Sequence, residues 1–167
     1  MSNTIELEFK FNNSNLLKAK KIIKKYPKQF SRSAILPFLH LAQEQQGGWL
    51  NKPAIEYISK YLKIPLINVH EVASFYHMFN LKEVGKYCIS VCTTTPCMLR
   101  DSDSILKTFE KNLNIKTGEV TKDGTFSLHE IECLGACIDA PVIKINNNYY
   151  EKLKLDDIKK IVKNLKK

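Results

Sequence analysis

No run in this 167-residue chain approaches the ~20 consecutive apolar residues that a membrane-spanning helix needs, so any tie to a membrane must come through partners. Residues Met1 to Asn15 carry Glu6 and Glu8 and lack a continuous apolar core, which excludes a secretory signal there. Nor are they rich in arginine or free of acid, as a transit peptide would be. No C-x2-C pair is present, which argues against a thiol–disulfide oxidoreductase. A glycine-rich phosphate loop, a grouped nucleophile and a placed proton donor are missing too, so the chain carries no catalytic constellation of its own. The setting these absences leave is intracellular, where thiols stay reduced.

What is there is ordinary in bulk. At 44% hydrophobic and 26% charged, the chain is long enough for one domain or two small ones. Its charge is less ordinary: 26 basic residues against 17 acidic ones give a formal net charge of +9. Such an excess can mark nucleic-acid binding. Here the lysines are dispersed along predicted helices, and only Lys18 to Lys28 is dense. No zinc-finger histidine pair, RNA-binding aromatic motif or helix-turn-helix pattern accompanies them, so no nucleic-acid partner is expected. Biased composition, with abundant Lys, Asn and Ile, is one account of the charge, and a basic surface that meets an acidic partner subunit is another.

Four of the five cysteines form two tight pairs: Cys92-x4-Cys97, then 35 residues, then Cys133-x3-Cys137. Two short pairs on two loops is the layout of a four-thiolate metal site. Three chemistries compete for it. Disulfides run against a reducing compartment, and a bridge within either short pair is strained in many backbone geometries. Structural zinc favours x2 knuckles with both thiols on one turn. A binuclear iron–sulfur core is larger than one ion and suits the wider first loop, although the plant-type C-x4-C-x2-C run is absent. Spacing alone puts iron–sulfur ahead and leaves zinc open.

The flanks add chemistry. Thr93, Thr94 and Thr95 offer hydroxyl and amide donors near sulfur. Gly135 lets the second loop pass close to a bound group, and Pro96 and Pro141 stiffen the two loops. Arg100 is the nearby cation; a solvated side chain opening a helix is an equal reading of it. Cys88 falls inside a predicted strand and reads as a buried structural thiol. His40, His70 and His77 are too scattered for a metal site.

Taken in order, Met1 to Asn13 alternates only weakly and is expected to be a flexible arm or a strap onto a partner. Ser14 or Asn15 caps a first helix carrying Leu16, Ala19 and Ile23, ended by Tyr26-Pro27. Ser33 caps a second, with Ile35, Phe38, Leu39 and Ala42 at helical spacing, stopped by Gly47-Gly48. A third starts near Pro53 and buries Ile55, Ile58 and Leu62. A fourth opens with the Asn68–Glu71 pair and buries Val72, Phe75, Tyr76 and Phe79. Asn80 to Lys86 is a linker candidate. Then Tyr87 to Cys92 alternates as a half-buried strand, followed by a helix with Ile105, Leu106, Phe109 and Leu113. A strand over Thr125 to Ile131 delivers Cys133. Another, ending at Ile145, turns at Asn146-Asn147-Asn148 to Tyr149-Tyr150. A last helix carries Ile158, Ile161, Val162 and Leu165. The expected organisation is a four-helix domain over residues 1–82 and an α/β domain over residues 83–167.

The runs Ile89-Ser90-Val91-Cys92-Thr93-Thr94-Thr95-Pro96-Cys97-Met98-Leu99-Arg100 and Glu132-Cys133-Leu134-Gly135-Ala136-Cys137, with Ala140-Pro141 after them, resemble the family of 24-kDa subunits of respiratory complex I. The likeness covers nearly the whole chain, including Gln46 to Leu50 and Asn147 to Glu151. It implies a thioredoxin-like [2Fe-2S] ferredoxin domain behind the helical one, with Cys92, Cys97, Cys133 and Cys137 as the iron ligands. It further implies a one-electron carrier within an NADH:quinone oxidoreductase, beside a partner subunit that holds FMN and the NADH site and among other subunits of the peripheral arm. The expected place is the cytoplasmic side of a bacterial plasma membrane, held there through the complex without direct insertion, or the matrix side for a trimmed organellar chain. The equivalent subunit of an NAD-linked hydrogenase or formate dehydrogenase shares this module and is the first alternative. A zinc-stabilised interaction module without redox chemistry is the second.

Overall fold

The computed structural model describes residues 8–166 and divides the chain at Glu83 and Val84 into two compact units. The first unit is helical. Helix α1 spans Asn13–Ile23, α2 Ile35–Gln45, α3 Lys52–Leu62 and α4 Leu66–Phe75, with a 3-10 turn over Lys28–Ala34 before α2.

Each helix starts for a local reason. The side chain of Asn12, one position earlier than Asn13, caps α1 by accepting from the Asn15 amide at 2.9 Å. Asn51 caps α3 in the same way, with Pro53 in the first turn, where its missing N–H costs nothing. Helix α2 has no side-chain cap: the 3-10 turn runs straight into it from Ala34, and Ser33 is exposed in that turn. Helix α4 begins at Leu66 behind Pro65, so Asn68 lies inside it and caps nothing.

The core of this unit is Phe38, Leu39, Leu50, Ile58 and Val69 with their neighbours. Three expectations fail here. Phe9 and Phe11 are not part of a loose arm; both are buried, and their rings meet Tyr57 edge-on at 5.6 and 5.2 Å. Residues 1–7, the remainder of that expected arm, lie outside the described residues. Phe75 and Tyr76 are exposed rather than core, because α4 ends at Phe75 and the chain turns extended at Tyr76. Phe79 then enters the core from the following segment. Asn80 belongs to this unit and is not a linker residue: its carbonyl accepts from the Leu50 amide, and its side chain donates to the Gly48 carbonyl.

The second unit is one sheet with helices packed against it. Strands β1 (Tyr87–Cys92), β2 (Phe126–Ile131), β3 (Ile143–Ile145) and β4 (Asn148–Tyr150) lie in the order β2-β1-β3-β4. Strand β1 pairs parallel with β2 and antiparallel with β3, and β3 turns back on β4. Asn146 takes a left-handed φ of 53° at that hairpin. Helix α5 (Thr95–Met98) is a single turn; α6 (Ser102–Leu113) makes the crossover from β1 to β2, and α7 (Leu155–Leu165) ends the chain.

Alternation decides which face is covered. Ile89 and Val91 of β1, Phe126 and Leu128 of β2, and Ile143 and Ile145 of β3 pack with Ile105 and Phe109 of α6 and Ile158 and Val162 of α7. Gly85 leads into β1 hard against β2, where an added Cβ would collide with the Phe126 backbone. The parallel β1–β2 register, Cys92 opposite Ile131, brings both cysteine loops out of the same end of the sheet.

Candidate metal centre

Strand β1 ends at Cys92, whose side chain is buried. The chain then turns through Thr93 and Thr94 into α5, with Pro96 in its first turn. The Thr94 carbonyl accepts from the amides of Cys97 and Met98, both at 2.9 Å, and that turn places Cys97 inward at 1% exposure. The second loop leaves β2 after Ile131. It passes Cys133 and the left-handed Gly135 (φ 74°) to a 3-10 turn over Cys137–Asp139. Cys133 and Cys137 are exposed.

Short bonds draw the two loops together. The Thr93 amide donates to the Ile131 carbonyl at 3.1 Å, and the Cys92 amide to the Val142 carbonyl at 3.2 Å. The Thr93 hydroxyl donates to Glu130 Oε1 at 2.8 Å. The second loop is anchored at its far end: the Asp139 carboxylate pairs with Lys152 at 2.9 Å, and the Asp139 carbonyl accepts from the Lys152 amide. Cys92, Cys97, Ala140 and Val142 form a small apolar cluster of their own, flanked by Ile131, Leu134 and Ala136.

The sulfurs sit in unequal surroundings. Burial works to raise the Cys92 thiol, yet the Thr94 hydroxyl and amide, the Cys97 thiol and the Leu134 amide together hold it below the ordinary range. Burial pushes Cys97 up to about 11, helped by its hydrogen bond with Cys92 and by the nearby Cys92 and Cys137 charges, against a bond from the Val142 backbone. Cys92 and Cys97 are therefore sulfur neighbours, and Cys137 is near enough to act on Cys97. Cys133 Sγ accepts from the Gly135 amide at 3.3 Å. Among the described residues, no three Cys, His, Asp or Glu side chains gather tightly enough to hold a single ion.

The other singled-out residues lie elsewhere. Arg100 is exposed just past α5 and forms no ion pair among the described residues. Cys88 is half-buried on the sheet face opposite α6 and α7, and burial raises its thiol, as an inert structural cysteine requires. His40 packs against the Phe79 ring at 4.9 Å, while His70 and His77 are exposed. The amides of Leu134 and Val142 that serve the sulfurs were not anticipated. Any residue supplies an amide, so their role has no signature in side-chain identity.

The profile of the thioredoxin-like [2Fe-2S] ferredoxin family matches residues 19–166. A subunit of the NADH-quinone oxidoreductase of Rickettsia conorii is 58% identical over 163 residues, which cover 98% of each chain. The mitochondrial NADH dehydrogenase [ubiquinone] flavoprotein 2 of Dictyostelium discoideum is 49% identical over 145 residues, 87% of this chain and 59% of that one. Among solved structures, an NAD+-reducing [NiFe]-hydrogenase in the air-oxidized state superposes with a TM-score of 0.69 over 80% of this chain and 23% of its own. At 21% identity, that last likeness speaks for the fold alone.

Proposed function

The chain belongs to the thioredoxin-like [2Fe-2S] ferredoxin family, and from that premise we propose that it is the electron-transfer subunit of an NADH-quinone oxidoreductase. It holds one [2Fe-2S] cluster, with Cys92 and Cys97 on one iron and Cys133 and Cys137 on the other. The observation that carries this reading is the meeting of two cysteine loops whose sulfurs receive backbone amides from Leu134, Gly135 and Val142. Four thiolates concentrate negative charge, and N–H donors aimed at sulfur offset it. The donor set fits: four free cysteines, two buried and two exposed.

When bound, such a cluster supplies a one-electron redox centre whose potential follows net charge, hydrogen bonding and exposure. The chain's own residues set those conditions. Ala140 and Val142 exclude water from the Cys92–Cys97 side. Thr93 and Glu130 fix the first loop relative to the second. The exposed pair, Cys133 and Cys137, marks the side open to a partner, and Leu99 and Ile138 stand exposed on the same two loops.

That partner, in this reading, is the subunit holding FMN and the NADH site, with other peripheral-arm subunits around it. The helical first unit acts as a separate four-helix domain for docking. No helix among the described residues is long and apolar enough to cross a membrane. The complex, in the same reading, holds the chain at the cytoplasmic face. Near-full-length identity to a quinone-reducing relative favours this assignment over an NAD-linked hydrogenase or formate dehydrogenase.

Anaerobic purification with iron and sulfide analysis, and EPR after dithionite reduction, tests the cluster. About two irons per chain and a rhombic S = 1/2 signal, lost on alanine replacement of any of the four cysteines, is the expected result. Zinc without sulfide or signal, even after attempted reconstitution, would overturn it in favour of a redox-silent interaction module.

A further inference from the structure

Away from the cysteine loops, the end of α1 and the 3-10 turn after it enclose a pocket of about 370 Å³. Its walls are apolar: Ile23, Tyr26, Pro27 and the fully buried Ala34. Lys24, Lys28 and Ser31 line it as well. The volume lies within the range of about 300–1,000 Å³ in which proteins seat compact ligands or large side chains.

Around the pocket the surface is one-signed. Lys18, Lys20, Lys21, Lys24, Lys25 and Lys28 are all exposed, and among the described residues none of them is in an ion pair. Lys20 and Lys21, in the last turn of α1, have a local rationale in the helix dipole. Lys24, the C-cap of α1, shares that rationale; Lys28 lies beyond the helix and has none. Phe30, in the same 3-10 turn, is 56% exposed where the backbone kinks out of the 3-10 geometry.

We propose that this pocket docks an acidic segment of a neighbouring subunit, which seats one aromatic or branched side chain against Tyr26 and Pro27 and pairs its carboxylates with Lys24 and Lys28. Charge complementarity names the acid, and the apolar walls name the anchor. A nucleic acid would satisfy the lysines but has no use for the walls. The proposal rests on the reading of the chain as one subunit of an assembly and is independent of what the cysteine loops hold.

The test uses the full chain, alone and within the assembled complex. Lysines are acetylated with an N-hydroxysuccinimide ester and quantified by mass spectrometry, and a carbodiimide then couples touching amine–carboxylate pairs. The expected result is a severalfold loss of labelling at Lys24 and Lys28 on assembly, with coupling of one of them to an Asp or Glu of another subunit. The double change Lys24→Glu with Lys28→Glu should lower incorporation severalfold at physiological salt. Ser31→Phe, which fills the pocket and spares the charges, should do the same while circular dichroism remains native. Equal labelling of Lys24 and Lys28 in both states, or full incorporation of both variants, overturns the proposal. So does protection that appears only with phosphatidylglycerol vesicles, which would assign the surface to lipid. A chain that fails to co-purify with the complex sinks the subunit reading itself, and the docking site with it.

Discussion

Thr93 Oγ1 donates to Glu130 Oε1 at 2.8 Å and, with the bond from the Thr93 amide to the Ile131 carbonyl, ties the turn after β1 to the end of β2. The two strands already run parallel in register. The threonine–glutamate bond is a side-chain link that fixes the first cysteine loop against the strand feeding the second, beside the bond from the Cys92 thiol to the Glu132 carbonyl.

Removing that link should loosen the site without unfolding the unit. Thr93→Val and Glu130→Ala each lose an exposed hydrogen bond worth about 1 kcal/mol. Urea denaturation should therefore show only small shifts, while the rate of iron loss to a chelator rises. In a double-mutant cycle the two changes should be less than additive. Additive effects would mean that the bond does not form in solution.

Gly85→Ala probes the entry to β1. The added methyl has no room beside the Phe126 backbone, and backbone cannot swing aside as a flexible side chain would. We expect about 1–3 kcal/mol of destabilisation. Loss of β1–β2 amide protection in hydrogen exchange should accompany it, with protection in the helical unit unchanged.

Much of this was legible from periodicity. Ile55, Ile58 and Leu62 on α3, and Ile158 and Val162 on α7, lie on the faces that their spacing assigns. Periodicity misled where an element stopped early. Phe75 and Phe79 are one helical turn apart in sequence, but α4 ends between them, so one points to solvent while the other returns to the core. Short local patterns misled as well: Asn68–Glu71 looks like a cap, yet Pro65 had already fixed the helix start upstream. At the site, the two cysteine pairs were visible as spacing. Their convergence depends on the strand register, and the sulfur-facing amides depend on loop conformation, neither of which a spacing encodes.

His129 sets an acid limit for the second unit. It lies in β2 opposite Ser90, its Nε2 is buried without a hydrogen-bond partner, and burial holds its pKa below the usual 6.5. The folded state thus prefers the neutral ring, while the unfolded chain takes up a proton near pH 6.5. Stability should rise with pH through that region and be lost as pH falls below it. Denaturation midpoints measured from about pH 8 down to about pH 5 should drop for the native chain, and His129→Gln should flatten the trend. An unchanged slope in that variant would place the acid sensitivity elsewhere.

The two cysteine pairs differ in exposure, and metal removal should reveal it. Cys133 and Cys137 are exposed, whereas Cys92 and Cys97 are buried at 2% and 1%. The main cores of both units contain none of the four, so the chain should keep its secondary structure once stripped of metal. Iodoacetamide should then modify Cys133 and Cys137 first. Cys97 should lag most, because it is both shielded and, with a pKa pushed up to about 11, almost wholly protonated at neutral pH. Cys92 is the more acidic of the buried pair, so its protection rests on burial and on its bond with Thr94. Thr94→Val should remove that bond without exposing the sulfur, and should slow the residual Cys92 reaction by returning the thiol towards its ordinary acidity. Peptide mapping over time gives the order of modification directly. Simultaneous alkylation of all four would mean that the loops part when the metal leaves, and that the bound group, rather than the packing of Val142 and Ala140, holds Cys92 and Cys97 inside.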